Sequence, residues 1–315
     1  MVEHIVFEAT VYMKKANILS WLLLLLPMPA WSQTYLEQFP YRKQTDFFDF
    51  RYMRDSLQME GIVRFSDGFV RTVNQAFFSG KLNCGVHVLV LEDRPRYKEF
   101  VAQKLGIRDP YDFGIYLPPR GVIATYPATG LGTVSHLIAS ALVESNLTER
   151  PMWAKEGIPT FFEKFYGYWK DDELVVYWGF QNPWRISQIG SNLTHLDLNE
   201  TISGPKFFRN SDWPERTESN LRMAAVFLWE KGRFNRFLRL IATRNKAGYP
   251  TYFEAALDMP LEKILPLWQE YLQNVEKQRA RIMALPLSTI CDTEAEFRKF
   301  SATYGLSLEQ PKQSE

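Results

Sequence analysis

Val134-Ser135-His136-Leu137-Ile138-Ala139-Ser140-Ala141-Leu142, followed by Pro151-Met152-Trp153-Ala154-Lys155-Glu156-Gly157-Ile158-Pro159-Thr160-Phe161-Phe162-Glu163, is the part of this chain on which its reading turns. Apolar spacing predicts a helix over 131–146 and, restarted by Pro151, a second over 153–166. On a helix, residues four apart share a face. Two histidines at that spacing can hold one zinc ion, and a Glu just after the first serves as the base that deprotonates zinc-bound water. Here His136 is the only imidazole of the pair. Leu137 stands where the base would be, and Ser140 where the second ring would be.

The two stretches together resemble the peptidase MA-like, or gluzincin, family of zinc metallopeptidases. Its members read Leu-x-His-Glu-Leu-Thr-His-Ala-Leu, then about a dozen residues, then Pro-x-Trp-x-x-Glu-Gly-x-Ala-x-Tyr-Phe-Glu. The likeness extends to Met223–Trp229 and to Leu261–Leu272, and so covers roughly residues 47–275. It implies a gluzincin-like α+β scaffold, with a mixed strand and helix half over 33–130 and a mostly helical half over 131–283. It places His136 at the first ligand position, Ser140 at the second and Glu156 at the third. Two of four chemical groups are missing, and one imidazole with one carboxylate is a poor zinc site, because protein zinc sites use three or four ligands. Leu137 cannot take a proton. The resemblance therefore implies an inactive pseudopeptidase with no cofactor, whose cleft binds an extended peptide or an envelope protein. The alternatives are an active metal-dependent hydrolase with a non-standard, zinc-holding ligand set, and a structural envelope protein.

Other residues are candidate substitutes. His87 lies in a predicted strand, His195 in a loop-rich stretch, and Glu144 two turns past His136 on nearly the same face. A Ser140–His136–Glu156 triad is a second chemical reading, but a serine in mid-helix has no free N–H groups around it for an oxyanion hole. The simplest expectation bonds His136 to Glu156 as a satisfied polar pair between two helices.

The ends carry different signals. Lys14-Lys15, the leucines Leu22–Leu26, Pro27 and Pro29, and the small residues of Ala30-Trp31-Ser32 predict a secretory signal peptide over 1–32, with Met13 as an alternative start. That implies a periplasmic or secreted protein. The apolar run is too short to span a bilayer as a helix, and no other candidate span follows. An exported chain with two cysteines permits one disulfide, Cys84–Cys291, and a buried free Cys84 is the equal alternative. Residues 284–315 read as a polar tail with one short helix.

Composition excludes some classes. The 315 residues are 46% hydrophobic and 23% charged, with a net charge of +1, which describes a globular chain. No basic stripe marks a nucleic-acid partner. The aromatic share of 15% is high. Trp153, Phe161, Phe162 and Phe165 recur at helical spacing and are expected in the core. Arg233, Arg236, Arg239 and Arg244 are expected on a solvated helix face.

Overall fold

The computed structural model describes residues 35–78, 82, 85–147, 152–203, 214–243 and 249–314. The predicted signal segment and Cys84 lie outside them. The chain divides into two units, 1–40 and 41–315. In the first, the described residues form one short 3-10 turn, Leu36–Gln38. All that follows concerns the second unit.

Five strands form the larger sheet. Strands β1 (Tyr41–Gln44) and β2 (Phe48–Tyr52) make an antiparallel hairpin. Helix α1 (Leu57–Phe77) follows, started by the Ser56 side chain accepting from the Met59 N–H. Its buried residues, including Met59, Ile62, Val63, Phe69, Val70, Val73 and Phe77, recur three or four apart. Strand β3 (Val86–Val90) runs parallel to β2. Helix α2 (Arg94–Lys104) is capped by Asp93. Strands β4 (Gly114–Leu117) and β5 (Val122–Thr125) then pair antiparallel around the turn at Pro118–Arg120. The order is β1-β2-β3-β5-β4, which leaves β4 at an edge.

Helix α3 (Leu131–Asn146) has the bounds its spacing predicts. Helix α4 (Met152–Phe161) ends five residues earlier than expected, just past Pro159. The segment expected to close that helix instead opens a second sheet. Its strands are β6 (Tyr166–Lys170), β7 (Glu173–Tyr177) and, far along the chain, β8 (Thr289–Cys291), in the order β7-β6-β8. The stretch 179–217, expected as loop, holds the short helices α5 (Pro183–Ile189) and α6 (Leu198–Ile202). The rest is helical: α7 (Pro214–Glu230), α8 (Phe234–Thr243), α9 (Tyr249–Leu257), α10 (Leu261–Lys277), α11 (Arg279–Met283) and α12 (Glu294–Tyr304).

The molecule is therefore mixed α+β, with strands and helices first and mostly helices after. The tail does more than a polar tail would. Strand β8 lies parallel to β6, Phe297 of α12 stacks on Tyr177, and the Gln310 side chain accepts from the Trp178 N–H at 2.9 Å. Among the described residues no helix is long and apolar enough to cross a membrane.

Phe161, Phe162 and Phe165 are fully buried, as their spacing predicts, whereas the Trp153 side chain lies outside the described residues. Phe162 meets Phe77 edge-on at 5.2 Å and Trp178 at 5.3 Å between ring centres. This cluster fixes the residues just after α4, and they carry the site. On the expected arginine face, Arg236 pairs with Asp258 and Arg233 lies 3.7 Å from the same carboxylate; Arg244 lies outside the described residues.

Candidate functional site

Close backbone approaches hold the start of α3 against the end of α4. A Cβ on Gly132 would lie 2.6 Å from the Glu163 carbonyl oxygen, so only glycine fits there. The Ser135 hydroxyl donates to the Phe162 carbonyl, and the Ser288 hydroxyl to the Glu163 carbonyl, at 2.8 and 2.7 Å. From the other side, Gly157 lets α4 settle on α7, where an added Cβ would lie 2.9 Å from that of Leu221. The sequence thus places Glu163 beneath His136 with little freedom.

His136 pairs with Glu163, not with Glu156. Its Nδ1 lies 2.8 Å from the Glu163 Oε1. Arg185 of α5 grips the same carboxylate through both Nε, at 2.8 Å, and a terminal nitrogen. Asn182 adds a bond at 3.1 Å, and the other terminal nitrogen of Arg185 lies 2.8 Å from Glu218 of α7. Arg185 and Glu218 are both buried. A buried charge is tolerable only when paired in this way.

The expected His136–Glu156 bond is therefore corrected, for an electrostatic reason: Glu163 comes with its own buried guanidinium, and Glu156 has none. The triad reading fails on geometry. The Ser140 hydroxyl donates to the His136 carbonyl at 3.0 Å, closing a local helical bond, and the ring's acidic partner is Glu163.

The four positions singled out in the sequence, His136, Leu137, Ser140 and Glu156, nevertheless line one cavity of about 1070 Å³. Glu144 joins them, as its spacing along α3 predicts. His87 and His195 do not. His87 lies 3.1 Å from Asp49 on the neighbouring strand, and His195 is exposed beside Thr194. Cys291 is a free, half-buried thiol in β8; Cys84 lies outside the described residues.

Leu137 is buried and packs under β4, where a Cβ on Gly114 would lie 2.7 Å from its Cδ1. Along the opposite wall run Gly114, Ile115 and Tyr116, consecutive residues of the edge strand. Side chains alternate along a strand, so three residues in a row bring the strand's edge to the cavity as well as one face. Phe113 and Trp184 meet edge to face at 5.8 Å at the mouth and are 45% and 37% exposed.

A zinc ion does not fit this donor set. At the positions the resemblance marks, it would find one imidazole, one carboxylate, a hydroxyl spent on the helix backbone and an apolar side chain, short of the three or four protein ligands that zinc sites use. Among the described residues, no three His, Cys, Asp or Glu side chains gather as a metal-ligand group.

Reading the sequence missed Glu163, Asn182, Arg185 and Glu218. Glu163-Lys164 is a charged pair inside a buried aromatic run, Phe161-Phe162-Glu163-Lys164-Phe165-Tyr166, and that is a signal. Arg185 lies 22 residues from its partner and has no local spacing to reveal it.

The pair has a pH consequence. Burial disfavours a charge on His136, but the bond to Glu163 and the charges of Glu163 and Glu218 outweigh burial and the opposing Arg185, so its pKa is raised. The folded protein therefore holds that proton more tightly than the unfolded chain. The resulting stability is complete below the ordinary histidine value of 6.5 and is lost as pH rises through the higher folded value. Glu163 behaves oppositely: burial would raise its carboxyl, but Arg185 and His136 hold it well below its ordinary 4.5. Its contribution is complete above that value and is lost in acid. Urea midpoints should thus fall between about pH 6 and pH 8, and His136→Gln should flatten this fall. Parallel slopes in the two proteins would refute the assignment.

No protein-family model matches the chain, and no curated protein sequence matches it.

Proposed function

We propose that this is an exported, non-catalytic relative of peptidase MA-like metallopeptidases, which binds an extended peptide segment of a partner protein in the cleft between β4 and α3. The observation that carries the reading is the pairing of two facts about one cavity. Its wall includes the edge strand β4, and its helix α3 has Leu137 and Ser140 where a base and a second imidazole would be needed. An edge strand has unpaired backbone N–H and C=O groups, and an extended peptide can satisfy them by adding a strand. The exposed Phe113 and Trp184 supply apolar contact at the mouth. With no base at 137 and no second imidazole at 140, a bound peptide is held and not cut.

Labelled peptides of alternating Thr and Val should bind, shown by fluorescence anisotropy, and should be recovered intact by mass spectrometry after prolonged incubation. Ser140→Trp, which fills the cavity from α3, should weaken binding about tenfold or more while leaving the melting temperature near that of the parent. Peptide cleavage that co-purifies with the protein through every step would overturn the non-catalytic reading. Binding unchanged by Ser140→Trp would overturn the location.

A further inference from the structure

Glu156, Glu163 and Glu218 all line the cleft, and the last two are committed. Glu163 and Glu218 both face Arg185. Glu156 is different: among the described residues no side chain or N–H donates a hydrogen bond to its carboxylate, and the charges of His136, Lys155 and Arg185 act to keep it ionised. The cations nearby have other duties. Arg185 is tied to two acids and stacks on Trp184 at 4.6 Å, Lys164 donates to the Pro286 carbonyl, and Lys155 is exposed to solvent.

We propose that Glu156 is the anchor for a basic side chain, lysine or arginine, of the extended peptide that lies along β4. This rests on the peptide-cleft reading above. A half-buried carboxylate that no described residue hydrogen-bonds is costly, and an incoming ammonium or guanidinium supplies a partner. The edge strand and Glu156 line the same cavity, so a residue of the added strand that points inward meets the carboxylate. The Phe113 and Trp184 rings lie where the apolar stem of such a side chain enters.

Charge sets the pH dependence. The groups around the anchor are His136 and Glu144 on α3, Lys155 on α4, Glu163 and Lys164 after it, Arg185 on α5 and Glu218 on α7. Burial and Glu218 raise the pKa of Glu156, and protonated His136 repels a cation. Rising pH ionises the first and discharges the second, so both changes strengthen capture of a basic residue.

The test uses two fluorescein-labelled, acetylated and amidated heptapeptides, Thr-Val-Thr-Lys-Thr-Val-Thr and the same chain with norleucine for lysine, titrated with wild type and Glu156→Gln. The lysine peptide should bind wild type about tenfold tighter than the norleucine peptide, with the gap widening from about pH 6 to pH 8. Glu156→Gln should erase the gap. Equal binding of both peptides by wild type, or a gap that survives Glu156→Gln, refutes the anchor and leaves the cleft standing. Binding of neither peptide refutes both.

Discussion

Replacing Arg185 by methionine should destabilise the protein by about 3–5 kcal/mol, the scale on which removing one partner strands a buried charge. One guanidinium serves two acids here. Its loss leaves Glu163 and Glu218 facing each other in a buried site, with His136 as the nearest compensating charge. Urea unfolding measures the effect. Adding Glu163→Gln to Arg185→Met should recover part of the loss, because it removes one of the two stranded charges. If the double variant is no more stable than Arg185→Met alone, the loss came from packing and not from charge. A single variant as stable as the parent would show that the network contributes little.

The second large effect is a gain. The parent protein is expected to take up no stoichiometric zinc, and Leu137→Glu with Ser140→His should bind a single ion, read by calorimetry and by metal content after dialysis. The new ring stands one helical turn after His136 on the same face, and both positions already line the cavity with Glu156. The cost is in folding: Leu137 is buried against Gly114, and a carboxylate there without metal is unfavourable by several kcal/mol. Equimolar zinc in the parent protein would contradict the reading of the site. A folded double variant that binds none would count against Glu156 as a third ligand.

The long elements were legible because their signals are local. Helix α3 could be bounded from spacing alone, since the apolar positions repeat along it. The end of α4 was not. Tyr166 continues the helical spacing of Phe162, but β6 is held by its hairpin partner β7 and by β8, which lies about 120 residues further on. Helices α5 and α6 have seven and five residues, too few to show a period. The site divides in the same way. His136, Leu137, Ser140, Glu144 and Glu156 share a wall because helical spacing puts them there. The true partner of His136 depends on an arginine from a different helix, and no local pattern encodes that.

The late arrival of residues 286–291 also orders events in time. Lys164 donates to the Pro286 carbonyl, Leu287 and Ser288 form part of the cavity wall, and the Ser288 hydroxyl reaches back 125 positions to the Glu163 carbonyl. Contacts so distant in sequence form slowly, and in a chain that emerges from one end they cannot form until the later residue has emerged. A nascent chain holding everything through α10 still has an open-sided cleft and an unpaired β6 edge. On the proposed function, peptide capture waits for these last contacts, and until then the bare β6 edge is the surface on which a folding helper or an aggregating neighbour would act.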